Sequence, residues 1–437
     1  MSTNTFLIII VSLSFVIIAV ISGREKVDMM VWSLLLGIGV SITASLITGV
    51  PLEVFWANIP FSTIIFLLFF DVFVQILNQE HLFEFLAIKI IHYTKSRIRL
   101  FYYTISIVSA LLSGVMMDIS VALIFIPIIH RATSILKIES RPFVLGVGFS
   151  ISIGNLLSPY SAAVNIIIAD AANLTIGWFF MNLFVFFLFA EGITLLLIDL
   201  KYLEPQASPT ERSKRILLDI MDPNLLIINR PRFWRHVIYL VVIIILLFLN
   251  IVPYLMILIA VLLICLVERK RLAKNFQQVG WGLPFLLIGL FLLIGCLNII
   301  GTITFIEQSI SALIGEQFVL AVILTLIFTA VIGSFISRTF AAVVFLSIFA
   351  TLLKDTFTLP LHFNVLYIAL IIGINLGGNL IPQASSHVLY TLEFIKKNKI
   401  LHLNFKTYTK ITLLLSAGYT LVGIVYVLAY YGFGLLM

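Results

Sequence analysis

The stretch INLGGNLIPQASSHV, residues 374–388, interrupts an otherwise apolar segment with two glycines, a proline and several polar side chains. The polar members of the stretch are Asn375, Asn379, Gln383, Ser385, Ser386 and His387. A bilayer offers such groups no hydrogen-bond partners, so irregular backbone at membrane depth is tolerated only where it faces protein, water or a bound ion. The stretch therefore predicts a break in a membrane helix, placed at a binding site.

The composition of the chain indicates a membrane protein with many spans. Of its 437 residues, 61% are apolar and only 11% are charged. A soluble enzyme or a nucleic-acid-binding protein of this length would need a far more polar surface. The formal net charge of +7 comes from basic residues in short loops between apolar runs, which is the positive-inside pattern. The lipid bilayer is therefore the expected partner of this surface, and no nucleic acid is required to explain the charge.

The first half of the chain has a regular order of apolar segments. Spans are predicted over about 5–21, 29–48, 54–77 and 176–198, with an amphipathic interfacial helix over 80–95. The run 100–130 contains one charged residue, Asp118, and has basic residues at both ends. We predict that it forms a re-entrant hairpin, followed by a broken helix over 143–170. The basic loop 199–235 is predicted to be cytoplasmic.

The second half repeats this order. Spans are predicted over about 236–252, 254–267, 281–300 and 408–434, with an interfacial helix over 303–316. A hairpin over 318–353 contains the single charge Arg338, shortly after Gly333 and Ser334, and a broken helix covers 364–393. The fold class is thus all-α and polytopic, with about ten transmembrane helices and two re-entrant hairpins. Residues 1–198 and 236–437 are predicted to be inverted repeats around the linker 199–235, with both termini outside the cell membrane.

Two interrupted helices in corresponding places are typical of secondary transporters, whose substrate site lies near the bilayer midplane. The first is SIGNLLSPYSAAVN, residues 152–165, and the second is the stretch at 374–388. Both contain Gly-Asn, then proline, then small hydroxyl residues. Half-helix N-termini attract anions, and C-terminal carbonyls attract cations. We therefore place the binding site at these two breaks.

These motifs resemble those of the ion-transporter superfamily. GGNLIPQASS (377–386) is similar to its second-half signature, GNLLSP (154–159) to the first-half counterpart, and SGVMMDISVALIFIP (113–127) to its hairpin tip. The superfamily includes arsenite and anion permeases, sodium/proton antiporters, citrate-type carriers and divalent-anion/sodium symporters. The resemblance implies two inverted repeats and, in many members, a homodimer. Ile381 and Gln383-Ala384 depart from the usual signature, as do the tips Asp118-Ile119-Ser120 and Ser337-Arg338-Thr339.

The candidate site residues lie at the hairpin tips and in the breaks. Residues predicted to bind substrate or ion are Asp118, Ser120, Asn155, Ser158, Ser161, Ser337, Arg338, Thr339, Asn379, Gln383, Ser385 and Ser386. An ionisable group deep in a membrane is costly and is by default paired and functional. Asp118 and Arg338 either pair with each other or act directly, Asp118 on a sodium ion or proton and Arg338 on an anion.

Further assignments have structural alternatives. A sodium ion is predicted at Asp118, Asn155 and Asn379, and proton coupling at His387 or Asp118. His387 has the alternative of a packing role. The polar residues of the breaks could instead form ordinary interhelical hydrogen bonds without binding substrate. This alternative applies most directly to Asn165 and Asn375. Four acidic residues near predicted membrane ends are interpreted as interfacial: Asp71, Asp170, Glu191 and Glu393.

The function predicted from the sequence is secondary active transport of a small ion, with an anion favoured. Sodium or protons would be the coupling ion, and no other cofactor is expected. A sodium/proton antiporter is the alternative, favoured by Asp118. An enzyme is not predicted, because the sequence contains no Walker loop, no HExxH and no GxSxG with a plausible triad. A non-transporting membrane enzyme or scaffold would require that the polar midplane residues be dispensable for flux.

Overall fold

The fold is all-helical throughout the part of the chain that can be described. In this computed structural model the described residues are 3–22, 28–95, 97–203, 208–249, 251–268, 277, 279–335, 338–355, 357, 359–379, 385–400 and 405–436. They form helices and connecting turns, with no β-strand among them. Eight of these helices are long and apolar enough to cross a bilayer. The predicted class, an all-α polytopic membrane protein, is confirmed.

The helices before the linker follow the predicted order closely. They are α1 (Thr3–Ser22), α2 (Met29–Thr48), α3 (Leu52–Trp56), α4 (Phe61–Asn78), α5 (Leu82–Tyr93), α6 (Ile98–Ser113), α7 (Asp118–Leu136), α8 (Arg141–Gly154), α9 (Ala163–Ala172) and α10 (Ile176–Ile198). The span predicted over 54–77 is divided into α3 and α4. Pro60 accounts for the division, because it has no backbone N–H and disfavours helix in the residue before it.

The linker contains one further helix, and the second half resumes the order of the first. The elements are α11 (Glu211–Ile220), α12 (Arg230–Leu249), α13 (Pro253–Val267), α14 (Gly282–Ile299), α15 (Thr302–Ile314), α16 (Phe318–Phe335), α17 (Arg338–Asp355), α18 (Pro360–Leu376), α19 (Ser386–Lys397) and α20 (Phe405–Leu436). Helix α12 therefore begins within the segment 199–235 that was predicted to be a loop.

Ion pairs explain the early start of α12. The side-chain oxygen of Asn229 accepts from the backbone N–H of Arg232 over 3.1 Å and caps the helix. Arg232 Nη2 then lies 2.9 Å from Glu268 Oε2, and Arg235 also pairs with Glu268 at the end of α13. Because these arginines have a buried acidic partner, the basic sequence continues as helix. Their charge alone suggested a solvated loop.

Corresponding pairs of helices pack together in both halves of the chain. Helix α6 packs on α8 as α16 packs on α18, and α10 packs on α8 as α20 packs on α18. Across the halves, α7 packs on α19 and α17 packs on α9. The central helices α8 and α18 are buried over Pro142–Gly154 and Val365–Leu376 respectively. The helices α7 and α17 are thereby each brought against part of the broken helix of the other half.

The first predicted break lies between α8 and α9. After Gly154 the chain forms two 3₁₀ turns, Asn155–Leu157 and Pro159–Ser161, and Ser158 and Ala162 are extended. A Cβ atom on Gly154 would lie 2.1 Å from the carbonyl oxygen of Ala110 in α6. Glycine is therefore required here for the close approach of α8 to α6.

The second break has the same construction where it is described. Helix α18 passes into a 3₁₀ turn over Gly377–Asn379, and α19 starts at Ser386 after the extended residue Ser385. A Cβ on Gly377 would lie 2.1 Å from the Cβ of Ala330 in α16, so this glycine also allows two helices to approach closely. Gln383 and Ile381 lie outside the described residues.

Candidate functional site

Two opposite charges meet where two helices begin. Asp118 is the first residue of α7 and Arg338 the first of α17, and both side chains are buried, with exposed fractions of 6% and 9%. Arg338 Nη2 lies 3.4 Å from Asp118 Oδ2. The other carboxylate oxygen, Oδ1, accepts from the N–H of Ile119 over 2.8 Å. The pairing of Asp118 with Arg338 that the sequence left as one of two alternatives is therefore present in this conformation.

His387 completes the cluster from α19. Its Nδ1 lies 2.9 Å from Asp118 Oδ2, and its Nε2 lies 2.7 Å from the hydroxyl of Ser152 in α8. The ring is fully buried. A neutral ring with its proton on Nδ1 would donate to Asp118 and accept from Ser152, so both nitrogens are satisfied. His387 thus links α19 of the second half to α7 and α8 of the first half.

Ser385 binds two members of the cluster at once. Arg338 Nη2 donates to its hydroxyl oxygen over 3.1 Å, and the same oxygen lies 2.8 Å from His387 Nδ1. Because Ser385 precedes α19, its hydroxyl lies at the helix N-terminus. Asp118, Arg338, Ser385 and His387, with Ser152, form what we call the charged cluster.

The polar side chains of the first break bond mainly within it. Ser161 Oγ donates to the carbonyl oxygens of Asn155 and Ser158 over 2.9 and 2.7 Å. Asn165 Nδ2 donates to the Asn155 carbonyl over 2.7 Å and so holds α9 against the break. Ser158 Oγ accepts from the N–H of Tyr160 over 3.0 Å. These contacts satisfy backbone groups that the break releases from the helical ladder.

The predicted sodium ligands are only partly brought together. Asn155 presents Nδ2 to Asp118 Oδ2 at 3.5 Å, and its Oδ1 accepts from Ser113 over 2.8 Å. Asn379 Nδ2 donates to the Asn375 carbonyl over 3.0 Å, while its buried Oδ1 has no hydrogen-bond partner among the described residues. An ion at Asp118 would therefore require the Asn155 amide to turn its oxygen inward. Asn379 is not linked to Asp118 by any contact in the described part.

The remaining predicted residues differ in position. Ser120 is buried on the first turn of α7, and Thr339 is half-buried on the first turn of α17. Ser386 is exposed, so it lies outside the charged cluster although it is adjacent to Ser385. Ser337 and Gln383 lie outside the described residues, and their roles stay predictions.

Helix ends contribute to the electrostatics of the cluster. Helices α7, α17 and α19 all begin there, and each N-terminus carries about half of a positive elementary charge. Among the described residues, one carboxylate, Asp118, opposes these N-termini and Arg338. Helix α8 ends beside it, where the Asn155 amide lies 3.5 Å from Asp118 Oδ2, so a helix end of the opposite polarity lies at the same place.

Three serines were missed as site residues. Ser152 contacts His387, and Ser113 and Ser334 donate to the carbonyls of Ile151 and Gly377 over 2.8 and 2.9 Å. The last two occupy matching positions near the ends of α6 and α16. A sequence signal exists for Ser113 and Ser334, since each stands beside a glycine shortly before a lone charge, but only the fold reveals their partners.

Of the acidic residues interpreted as interfacial, one was wrongly placed. Asp170 and Glu393 are exposed and Asp71 is half-buried. Glu191 is instead 5% exposed and accepts from Ser150 Oγ over 2.7 Å. This bond places Glu191 against α8, and α10 continues past it for two further turns of apolar helix.

A polytopic helical protein whose broken helices and helix N-termini meet at buried charges is, by class, a membrane transporter. The chain belongs to the citrate transporter family, whose sequence model matches residues 7–374. The resemblance to the ion-transporter superfamily is thereby confirmed, and the family is one of transporters rather than enzymes.

Individual proteins agree with this assignment. A protein of Mycobacterium leprae described as a 46 kDa membrane protein is 24% identical over 373 residues, which cover 81% of this chain and 84% of the relative. The YdaH transporter of Alcanivorax borkumensis shares 12% identity with a TM-score of 0.58 and coverage of 99% of both chains. MtrF of Neisseria gonorrhoeae, described within a class of antimetabolite efflux pumps, shares 13% identity with a TM-score of 0.56 over 97% of this chain and 94% of its own. These two likenesses concern the fold alone.

Proposed function

We propose that this protein is a secondary active transporter of an organic anion of the citrate type, coupled to sodium ions or protons. The observation that carries the proposal is the convergence of three helix N-termini on Arg338 and His387, opposed among the described residues by one carboxylate, Asp118. A planar guanidinium in a buried site is suited to bind a carboxylate through paired hydrogen bonds. The family assignment makes citrate the first anion to test.

A change of partner by Arg338 would couple the two fluxes. In this conformation Asp118 Oδ2 is 3.4 Å from Arg338, which is a long and weak contact for an ion pair. A substrate carboxylate would displace Asp118 from Arg338. The released Asp118 would then hold a sodium ion or share a proton with His387, since an unpaired buried carboxylate is costly. Binding of the anion and of the cation would therefore favour each other.

The proposed transport cycle is alternating access by two inverted repeats, residues 1–198 and 236–437. The matching packing of α6 on α8 and α16 on α18 supports this division. It is also supported by the packing of α7 on α19 and of α17 on α9, each against the broken helix of the other half. Hairpins α6–α7 and α16–α17 would be re-entrant. In this scheme the linker 199–235 is cytoplasmic, both termini are outside the cell membrane, and the protein is a homodimer.

A cation/proton antiporter is the second candidate, and one contact favours it. Asp118 Oδ2 is nearer to His387 Nδ1, at 2.9 Å, than to Arg338. A carboxylate that shares a proton with an imidazole is suited to exchange that proton for a sodium ion. Under this hypothesis Arg338 would only neutralise the charge of Asp118.

Flux through the purified protein in liposomes distinguishes the two candidates. Labelled citrate, succinate, sulfate, phosphate and arsenite would be offered under imposed sodium and proton gradients. We expect accumulation of citrate that Arg338→Gln abolishes, while Arg131→Gln, an exposed arginine near the other end of α7, retains it. The antiporter hypothesis is correct if no anion accumulates and a sodium gradient instead drives proton flux. Asp118→Asn should then remove this flux, and Asp219→Asn should not.

A further inference from the structure

Glu191 is a buried acid that the charged cluster does not use. It lies on α10 with 5% of its surface exposed. Ser150 Oγ in α8 donates to Glu191 Oε1 over 2.7 Å, and Oε2 has no hydrogen-bond partner among the described residues. No ion pair to Glu191 occurs in the described part of the chain. The carboxyl group is therefore satisfied on one side only.

Among the described residues, the groups facing Glu191 do not include a cation. The titratable side chains within electrostatic range are Tyr102 from α6 and Tyr419 from α20. Their hydroxyls are engaged elsewhere: Tyr102 donates to the Leu195 carbonyl over 3.3 Å, and Tyr419 lies 2.6 Å from the Thr194 hydroxyl. Helix α8 contributes only the Ser150 hydroxyl. Within the described part of the chain, neither a salt bridge nor a set of donors stabilises an ionised carboxylate at this position.

An ionised carboxylate that is buried in a membrane protein with one hydrogen bond is strongly disfavoured, and it takes up a proton instead. We propose that Glu191 is a proton-binding site, neutral in this conformation, and that it carries the coupling proton of the transport cycle. This inference rests on the proposed function and specifies the coupling ion. The reaction is the uptake of one proton by one carboxylate, and ionisation requires a conformation in which water reaches Oε2.

Helix α8 connects this proton site to the charged cluster. Ser150 and Ser152 are two residues apart, so their side chains point to nearly opposite sides of the helix. Ser150 contacts Glu191 in α10, and Ser152 contacts His387 in α19. Loss of the proton would change the contact of α8 with α10, and any movement of α8 would change the contact with His387 and the position of Asn155 at its end. The coupling would therefore pass through one rigid helix.

The protonation state can be measured without any substrate. Infrared spectra of the purified protein at neutral pH are expected to show the C=O stretch of a protonated carboxylic acid, shifted by D₂O. This band should be lost in Glu191→Gln and retained in Glu393→Gln, whose carboxyl is exposed. In Ser150→Ala the band should persist at higher frequency, because the acid loses its hydrogen bond; this variant keeps the test valid if Glu191→Gln does not fold. A spectrum unchanged by either substitution overturns the proposal.

The coupling role is tested in liposomes with citrate as the probe. A proton gradient should drive citrate accumulation by the wild type and by Glu393→Gln, and Glu191→Gln should lose it. Exchange of labelled for unlabelled citrate should persist in Glu191→Gln, because an amide imitates the neutral acid. Accumulation by Glu191→Gln overturns the coupling role. If the wild type moves no anion, the proposed function fails, and the infrared spectra still decide whether Glu191 binds a proton.

Discussion

The side-chain amide of Asn375 donates to the side-chain oxygen of Asn165 over 2.7 Å, and this hydrogen bond joins the two broken helices. Asn375 lies near the end of α18, and Asn165 on the first turn of α9. Both are fully buried. Asn165 also holds the first break through the Asn155 carbonyl, so the bond connects the interior of one break to the entry of the other.

Removing either asparagine should destabilise the protein. Asn165→Ala removes one of the two side-chain bonds to the Asn155 carbonyl and the side-chain partner of the Asn375 amide, and we expect a loss of about 1–3 kcal/mol. Asn375→Ala should cost less, because Asn165 retains its bonds to the first break. The losses of the two single variants should sum to more than the loss measured for the double variant, because each single variant already removes the shared bond. Unfolding of all three variants in detergent measures the coupling, and strict additivity would contradict a direct bond.

Ser152 should influence transport through His387. Ser152→Ala removes the hydroxyl at Nε2, and a hydrogen bond of this kind contributes about 1 kcal/mol, equivalent to about fivefold in an equilibrium constant. We expect citrate uptake at low citrate concentration to fall by up to about fivefold in this variant. Ser152→Thr keeps the hydroxyl and should behave as the wild type. Equal uptake by the wild type and Ser152→Ala would show that transport does not depend on this hydrogen bond.

Gly154 should not tolerate a side chain. Its added Cβ would lie 2.1 Å from the Ala110 carbonyl, so Gly154→Ala must separate α8 from α6, at a cost of about 1–3 kcal/mol. Gly39 in α2 is the matched control, because nothing lies within 4 Å of its added Cβ. Gly39→Ala should be neutral or slightly stabilising, since alanine favours helix. Thermal unfolding of both variants checks the difference, and equal stabilities would contradict the close packing.

Glu268 should hold α12 to α13. It accepts from Arg232 and Arg235, and Arg232 also lies 3.0 Å from Glu80, at the end of α4 in the first half. Removing one member of a buried ion pair costs roughly 3–5 kcal/mol, and the loss for Glu268→Gln should be smaller because Arg235 is 43% exposed. Glu53→Gln, an exposed residue, should leave stability unchanged. Thermal unfolding in detergent gives both values.

Local sequence signals identified most of the framework and the site's charged members. Apolar runs predicted the helices. The lone charges Asp118 and Arg338 predicted the cluster, because a charged side chain at membrane depth is costly unless it is paired or functional. The contacts of Ser152 with His387 were not predictable, since they join residues far apart in sequence through the packing of α8 on α19. Glu191 was misplaced for the same reason: hydropathy shows that a residue lies in a span but does not show its depth or its neighbour.

The re-entrant path of α6 and α7 is a prediction with a structural basis. Helix α6 has 16 residues, so at about 1.5 Å per residue it extends about 24 Å, less than the roughly 30 Å of a hydrocarbon core. Its last residue, Ser113, bonds to the Ile151 carbonyl beside the first break. If that break lies near the midplane, α6 must turn back there. Lys95 and Lys137, which flank the hairpin, would then face the same side of the membrane.

Cysteine labelling in intact cells checks this path. Cys265 and Cys296 are first replaced by alanine, and single cysteines are then placed at Lys95, Lys137 or Ala171, which is exposed in the last turn of α9. A membrane-impermeant maleimide should reach the first two only after the membrane is permeabilised. It should reach the cysteine at Ala171 from outside, because the broken helix crosses the bilayer. If the cysteines at Lys95 and Lys137 label from opposite sides, α6 and α7 together span the membrane. The inverted-repeat scheme then fails, because the two halves no longer have matching paths.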